Sequence, residues 1–372
     1  MNEASGLSVT EVPNPSRLRT RACLRTAKIA LGCAAAWLGL APWALGACKI
    51  KVVGELHVDT THNRVITQGQ IDGKPIRIAI DTGAGSSWLW ADSAKRLGLH
   101  TSYEGRVKFY GVGGEVQPSQ TLINHLQIGT IYGNKMPMIV LPANPNRPSN
   151  GPDFVMGNDM LASFDTEFDL AHGMIRLLEP DGCTVDELPY WTDRYSQADL
   201  ENGDDVRRAR ALIKTRVLVN GKPVEAELDT GSSFTSITRD AAQTAGVTPW
   251  LTNPPPAGMV YGIGPQPVPS WVASFDSFSI GDETIRHVPM RIADLFGADK
   301  SVHLGSRIAK SVDDFPTMLI GCDFFLAHHL LVLNRQRKLL FTYNGGTVFQ
   351  TPTGGQTSKS TPASGPPSDR QP

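Results

Sequence analysis

The chain has 372 residues, of which 40% are hydrophobic, a fraction too high for a disordered protein and sufficient for two domains of ordinary size. Its 35 Lys and Arg residues are balanced by 36 Asp and Glu residues, so the net charge of −1 argues against a nucleic-acid-binding protein. The 36 glycines and 27 prolines, together with runs of β-branched residues, predict a mostly β protein with many turns.

The first 48 residues are predicted to be a signal segment that takes no part in the fold. Basic residues precede the apolar stretch 29–47, whose uninterrupted part ends at Pro42 and is shorter than the roughly 20 residues that span a membrane. Ala44-Leu45-Gly46 provides a small-x-small cleavage site, and an uncleaved membrane anchor is the alternative. We therefore expect export to the periplasm or the cell envelope.

Of the five cysteines, Cys23 and Cys33 are expected to leave with the signal, and Cys48, Cys183 and Cys322 remain. Cys322 lies in the apolar run TMLIGCDFF and is predicted to be a buried free thiol. Cys48 and Cys183 flank the first half of the mature chain and form a candidate disulfide, as an oxidising compartment favours. The residues before Cys48 also resemble a bacterial lipobox, so lipidation of Cys48 is the alternative.

The two halves of the mature chain repeat one pattern. QGQIDGKPIRIAIDTGAGSSWLW (68–90) and TRVLVNGKPVEAELDTGSSFTSI (215–237) each contain a hairpin turn followed by an apolar run and D-T-G. In both halves a short helical pattern, a Tyr-Gly-x-Gly stretch, two strand patterns, an apolar-apolar-Gly-x-Asp sequence and a closing hairpin follow in the same order. This shared order indicates an internal duplication.

The duplication divides the chain into five segments. We expect the signal segment over 1–48, a first domain over 49–180, a linker over 181–212, a second domain over 213–348 and a disordered tail over 349–372. The linker is charged and is predicted to contain one or two helical turns. The tail consists mainly of Pro, Gly, Ser and Thr, which cannot bury enough apolar surface to offset chain entropy.

The paired D-T-G and Gly-x-Asp sequences resemble those of the aspartic peptidases, and most closely those of the retropepsin-like branch. The resemblance covers roughly residues 50–178 and 212–345. It implies two tandem retropepsin-like β-barrel units that form a pepsin-like bilobal pseudo-dimer. It also implies a monomeric endopeptidase with a peptide or protein substrate and no metal or cofactor. The alternative is that each unit pairs with its copy in a second chain.

The resemblance assigns catalytic roles to Asp81 and Asp229. Two carboxylates in one site share a proton, so one can accept a proton from water while the other donates to the substrate carbonyl. Ser232 follows the second D-T-G, whereas Ala84 follows the first. A hydroxyl that donates to a carboxylate stabilises its charged form, so we hypothesise that Asp229 is ionised and that Asp81 holds the proton.

Other residues are assigned supporting roles by the same resemblance. The residues of the supporting active-site loops are Thr82, Gly83, Ala84, Thr230, Gly231 and Ser232. The two threonines are expected to hydrogen-bond across the pseudo-twofold axis, and the two glycines to allow tight turns. Gly157 and Gly321 are expected to pack beneath these loops, with Asp159 and Asp323 in structural roles.

Two glycine-rich stretches are candidate flaps, which are hairpins that close over a substrate. Their residues are Tyr110, Gly111, Gly113, Tyr261, Gly262 and Gly264. Plain surface turns are the alternative interpretation for both stretches. Pro265 departs from the flap pattern in the second stretch.

Rival functions lack the necessary sequence patterns. GAGSS (83–87) lacks the third glycine of a dinucleotide-binding loop, and neither G-x-S-x-G, H-E-x-x-H nor C-x-x-C occurs in the sequence. A non-hydrolytic peptide-binding or scaffolding module with the same fold is the alternative that stays open. Membrane contact is expected only through the signal segment or a lipid on Cys48, and no nucleic-acid partner is expected.

Overall fold

The computed structural model describes residues 7–9, 48–103, 108–201, 212–296, 302–303, 309–310 and 315–350. The strands are β1 (Leu7–Val9), β2 (Lys49–His57), β3 (Ile66–Ile71), β4 (Lys74–Ile80), β5 (Trp88–Trp90), β6 (Thr101–Tyr103), β7 (Phe109–Gly111), β8 (Gly114–Val116), β9 (Ser119–Ile128), β10 (Ile131–Leu141), β11 (Phe154–Met156), β12 (Asp165–Asp169), β13 (Met174–Asp181), β14 (Ser196–Asp199), β15 (Lys214–Val219), β16 (Lys222–Leu228), β17 (Ser236–Ile237), β18 (Gly258–Val260), β19 (Val268–Ile280), β20 (Glu283–Ala293), β21 (Val302–His303), β22 (Ala309–Lys310), β23 (Met318–Ile320), β24 (His328–Leu333) and β25 (Lys338–Tyr343). The α-helices are α1 (Ala91–Leu97), α2 (Asn158–Leu161), α3 (Arg239–Thr244) and α4 (Cys322–Ala327), and the 3-10 helices are η1 (Leu170–His172), η2 (Val185–Glu187) and η3 (Pro249–Thr252).

The first unit is a closed six-stranded barrel. Its strands pair in the order β10-β5-β11-β4-β3-β9, and β9 pairs back with β10. Ile76, Ile78 and Ile80 alternate with more exposed residues along β4 and are buried, because every second side chain of a strand points to the same face. The apolar run before Asp81 therefore faces the barrel core.

The second unit repeats this barrel strand for strand. Its order is β19-β20-β17-β23-β16-β15, and β15 pairs back with β19. The hairpin turns Asp72-Gly73 and Asn220-Gly221 both have two residues with positive φ, between 48° and 76°. The predicted mostly β fold with two tandem barrel units is therefore confirmed.

A third sheet joins the two units. It has the order β14-β25-β24-β12-β13-β2, in which β12 of the first unit pairs antiparallel with β24 of the second. The closing hairpins predicted at 168–178 and 329–343 supply four of its strands. Phe168 and Phe325 pack with ring centroids 5.2 Å apart, so the apolar core continues from one unit into the other.

A buried carboxylate lies at the junction of this sheet. Glu167 on β12 is fully buried, and its Oε1 accepts hydrogen bonds from Arg176 Nη1 at 3.0 Å and from His329 Nε2 at 2.7 Å. The Tyr190 hydroxyl donates to Oε2, and the Trp191 ring stacks on the ring of His329 at 4.1 Å. Glu167 therefore links the first unit, the second unit and the segment between them.

The segment predicted as a linker, 181–212, contributes to this sheet over its described part. It contains the short helix η2, which agrees with the predicted helical turn, and the strand β14, which was not predicted. β14 pairs antiparallel with β25 through Ser196 to Asp199. The expected disulfide joins Cys48 to Cys183, and the free thiol of Cys322 is buried, as predicted.

One part of the predicted signal segment contacts the first barrel. β1 pairs antiparallel with Ile131–Gly133 of β10, so the expectation that 1–48 takes no part in the fold is wrong for these three residues. The pairing uses a stretch of β10 that lies beyond its contact with β5 and so presents unpaired backbone groups. Residues 1–6 and 10–47 lie outside the described residues, as does the predicted tail 349–372 apart from its first two residues. Phe349 is buried and packs on Phe278 with ring centroids 5.0 Å apart, so the prediction of a disordered tail is wrong for this residue. In the described part of the chain, every helix is too short or too polar to traverse a bilayer.

Candidate active site

Asp81 and Asp229 meet between the two barrels. Asp81 follows β4 directly and Asp229 follows β16 directly. The Asp81 amide donates to Met156 O at 3.0 Å and the Asp229 amide donates to Ile320 O at 2.9 Å, so each aspartate is held to the strand beside it. The carboxyl group of Asp81 lies against Gly231 and that of Asp229 against Gly83, and the two carboxyl groups interact electrostatically.

Thr82 and Thr230 lock the two loops together. The Thr82 hydroxyl accepts from the Thr230 amide at 3.0 Å and donates to Leu228 O at 2.7 Å. The Thr230 hydroxyl accepts from the Thr82 amide at 3.1 Å and donates to Ile80 O at 2.8 Å. Each buried hydroxyl is thus fully used across the pseudo-twofold axis, which fixes the positions of the neighbouring aspartates.

Gly83 and Gly231 lie directly against the opposite carboxyl groups. A Cβ atom on Gly83 would be 2.4 Å from Cγ of Asp229, and one on Gly231 would be 2.4 Å from Cγ of Asp81. Both distances are far below van der Waals contact. Only glycine at these two positions lets the carboxyl groups approach each other.

The loops are supported from below by matched sets of contacts. A Cβ on Gly157 would lie 2.5 Å from Ala84 O, so this glycine packs against the first loop. Asp159 Oδ1 accepts from the amide and hydroxyl of Ser87 at 2.9 and 2.6 Å. Asp323 Oδ1 accepts from the amide and hydroxyl of Thr235 at 2.9 and 2.7 Å. Asp159 and Asp323 therefore hold the loops rather than face the cleft.

The two central carboxyl groups differ in their preference for the proton. Burial raises the pKa of both, and the charge of Asp81 raises the pKa of Asp229 further. Backbone N–H groups favour the charged form of both carboxyl groups, those of Gly83 and Ala84 at Asp81 and those of Gly231 and Ser232 at Asp229. Because the pKa of Asp229 is raised further than that of Asp81, the shared proton is favoured on Asp229.

This assignment is opposite to the one expected from Ser232. The Ser232 hydroxyl donates to Phe234 O at 2.9 Å, and only its backbone N–H, at 3.2 Å, reaches Oδ1 of Asp229. The premise of the sequence-based hypothesis is therefore wrong, since the hydroxyl does not bind the carboxylate.

The replacement Ser232→Ala is accordingly expected to leave the pH profile of kcat/KM unchanged, because the N–H that reaches Asp229 is retained. The measurement is peptide hydrolysis by both proteins across the acidic and neutral range. A displacement of either limb of the profile by about one pH unit would show that the hydroxyl acts on the carboxyl pair after all.

The two candidate flaps meet tip to tip over the cleft. The first is the hairpin β7–β8, and the second is the loop between β18 and β19. Gly264 N donates to Val112 O at 3.0 Å, and Gln266 N donates to Gly113 O at 3.2 Å. The other candidate flap residues line the cleft, and they are Tyr110, Gly111, Tyr261 and Gly262.

The contact between the tips leaves no space for a side chain at Gly264. A Cβ there would lie 2.0 Å from the backbone carbon of Gly113, so Gly264→Ala is expected to separate the tips. If the tips close over a bound peptide, kcat/KM falls by about 10- to 100-fold, the cost of a misplaced closing element. Gly258→Ala is the control, since a Cβ on Gly258 meets no atom within 4 Å. Equal kcat/KM for the two variants would show that the tip contact has no part in turnover.

The carboxyl pair lies in a cleft with a volume of about 260 Å³. Residues of both units line it, including Trp88 and Phe109 on one side and Leu319 on the other. It also contains Glu227, which the sequence analysis did not select. Alignment of the two repeats distinguishes Glu227, because the equivalent residue of the first unit is the apolar Ala79. No group of three or more His, Cys, Asp or Glu side chains placed to bind a metal occurs among the described residues.

The comparison with protein families agrees with the two-unit architecture. A profile described as Aspartyl protease matches residues 67–160 and 215–324, one match in each unit, and the two matches cover more than half of the chain. A solved retropepsin-like aspartic protease from Rickettsia conorii is similar at 15% identity and a TM-score of 0.27, over 36% of this chain and 95% of that one. None of the curated proteins matches the chain significantly. The chain belongs to the aspartyl protease family, with one match to that family in each of its two tandem units.

Proposed function

We propose that the chain is an aspartic endopeptidase in which Asp81 and Asp229 activate a water molecule for peptide-bond hydrolysis. One observation supports this above all others: two carboxyl groups from different units, Asp229 buried and Asp81 partly buried, each lie against the glycine of the opposite loop in a single cleft. Such a pair shares one proton and so supplies a base and an acid at the same place.

The proposed reaction uses the charge distribution of the pair. Asp81, in the charged form, accepts a proton from a water molecule whose oxygen attacks the peptide carbonyl carbon. Asp229 donates its proton to the carbonyl oxygen, which gives a neutral tetrahedral diol. The C–N bond then breaks as the leaving nitrogen takes the proton from Asp81, and Asp229 recovers a proton from a diol hydroxyl as the carboxylic acid product forms. The pair thereby returns to its starting state.

We propose that the active form is a monomer. One chain brings both carboxyl groups together, so a second copy is not needed to complete the site. Gel filtration of the active protein tests this, and activity that is confined to a dimer fraction would favour pairing between chains.

We also propose that the protein is exported to an oxidising compartment. The Cys48–Cys183 disulfide supports this, and it occupies the sulfur atom to which a lipid would be attached. Intact mass measured on the mature protein under non-reducing conditions distinguishes the two fates of Cys48.

The test of activity is digestion of a denatured protein library by the purified mature chain. We expect new termini that mass spectrometry identifies, and their formation should stop with a pepstatin-like inhibitor. The competing function is a non-hydrolytic peptide-binding module with the same fold. Peptides that are retained by the chain without being cleaved, across acidic and neutral pH, would favour that module and contradict the proposed activity.

A further inference from the structure

Glu227 is an acidic residue in the wall of the cleft that the proposed reaction does not use. It lies two residues before Asp229 on β16, so both side chains are on the same face of the strand. Ala226 and Leu228 point the other way, into the barrel core, and are fully buried. Glu227 is only 3% exposed, and it lines the same cleft as the carboxyl pair.

The carboxyl group of Glu227 has no hydrogen-bond or ion-pair partner among the residues that the structure describes. Lys214 is directly opposite on β15, but its Nζ is 2.6 Å from Oε1 of Glu225. Leu319, the neighbour on β23, is apolar. Burial of a carboxyl group without a partner is unfavourable in free energy. A ligand that supplies a hydrogen-bond or ion-pair partner therefore gains a large binding free energy.

The charges around Glu227 are mostly negative. Asp229 and Asp81, which together carry one negative charge, and Glu225 raise the pKa of Glu227, and the positive charge of Lys214 lowers it. Burial is the largest effect, and together these groups hold the pKa of Glu227 well above its ordinary value. A positive group placed next to Glu227 would favour its ionised form and would be attracted to all three acids of the cleft.

The first unit provides an internal reference for this position. Ala79 occupies the equivalent place on β4 and packs against a cluster that contains Trp88. In the second unit the position equivalent to Trp88 is Ser236, a much smaller residue. The fold itself therefore does not require an acid here, and the two walls of the cleft differ in chemistry.

We propose that Glu227 forms a pocket for a cationic side chain, Lys or Arg, at one of the two substrate positions that flank the cleaved bond. This inference rests on the proposed peptidase function and adds a substrate class to it. Leu212 and Leu319 line the same cleft and can contact the methylene groups of such a side chain, while its charge reaches the carboxylate. Lys108, a cation in the lining of the cleft, is already paired with Glu115 at 2.8 Å.

The experiment compares matched peptides with the full mature chain. Once one cleaved peptide is known, each residue that flanks the cut is changed in turn to Lys and to norleucine, which is uncharged and of similar length. For the wild type we expect kcat/KM to favour Lys over norleucine at one of the two positions. Glu227→Gln should reduce that ratio by about 10- to 100-fold, the usual worth of a hydrogen bond to a charged group.

Two further variants distinguish a loss of the Lys preference from a general loss of activity. Asp240→Asn changes an exposed acid of the same unit that does not line the cleft, and it should leave the Lys preference intact. Glu227→Leu should reverse the preference towards norleucine while cleavage of the norleucine peptide continues. Thermal melting of each variant checks that the barrel is folded.

The outcomes separate this inference from the proposed function. If the wild type cleaves peptides but shows no Lys preference at either position, or if Glu227→Gln leaves the ratio unchanged, the pocket is disproved and the peptidase stands. If the wild type cleaves no peptide, the proposed function fails. A peptide that the chain retains from the same library is then changed to Lys and to norleucine at each position in turn, and calorimetric binding compares the affinities, where equal values at every position would also overturn the pocket.

Discussion

Replacement of either Asp81 or Asp229 by Asn is expected to lower kcat by about 10³- to 10⁴-fold, the contribution of general acid–base catalysis by a positioned group. Asn at position 81 cannot accept a proton from water. The side-chain amide of Asn at position 229 is too weak an acid to donate a proton to the carbonyl oxygen of the substrate. The measurement is single-turnover hydrolysis of a peptide found in the library digest, so that slow product release cannot hide the chemical step.

The same replacements are expected to preserve or raise thermal stability. Each removes a group from a buried pair whose pKa values are raised, which means that the native state disfavours the two charges. The control is Asp240→Asn, since Asp240 is an exposed acid in the first turn of α3 and should retain full activity. Wild-type kcat in either pair variant would remove the basis of the proposed mechanism.

The raised pKa values also predict the direction of the pH dependence. Activity requires a charged Asp81 and a protonated Asp229, so it falls when acid protonates the pair and again when base removes its shared proton. Because burial raises the pKa of both groups above the ordinary value of 3.8, both limbs should lie at higher pH than for isolated aspartates. A pH–rate profile for kcat/KM measures this.

Glu167→Ala is expected to lower the free energy of unfolding by about 3–5 kcal/mol at neutral pH, as removal of one partner from a buried ion pair generally does. The change leaves His329, Tyr190 and Arg176 without their common acceptor at the junction of the two units. Urea denaturation of both proteins gives the difference. Glu55→Gln is the control, because Glu55 also contacts Arg176, at 3.2 Å, but is half exposed and should contribute less than about 1 kcal/mol.

The Glu167 effect should depend on pH in a defined direction. Burial raises its pKa, but hydrogen bonds from His329 and Tyr190 and the charge of Arg176 outweigh burial and hold the pKa below its ordinary value of 4.5. A depressed pKa contributes stability that is fully present above the unfolded-state pKa and is lost as pH falls through the folded-state pKa. The difference between wild type and Glu167→Ala should therefore shrink in acid, and a difference that grows below pH 4 contradicts this account.

Local pattern and repetition made much of the fold predictable. The turns at Asp72-Gly73 and Asn220-Gly221, the apolar alternation of β4 and the recurring D-T-G are all short-range signals, and the duplication supplied each of them twice. The pairing of Cys48 with Cys183 followed from their positions on either side of the first unit.

The features that were not predicted depend on contacts between distant segments. β14 becomes a strand because β25 offers it an edge, and SQAD alone has little strand propensity. The direction of the Ser232 hydroxyl depends on where Phe234 O lies, which the loop geometry decides. Glu227 follows Ala226 in an alternation typical of a half-exposed strand, yet its side chain is buried, which the pattern of β16 alone does not indicate.

The sheet in which β12 pairs with β24 has a consequence for the chain as a whole. If the two repeats were expressed as separate polypeptides, each would present a bare strand edge and the apolar face that Phe168 and Phe325 now cover together. The repeats are therefore not independent folding units, and we expect both to unfold together in a single cooperative transition. A repeat that is fused to another protein should fold only if that protein supplies a strand to pair with β12 or β24.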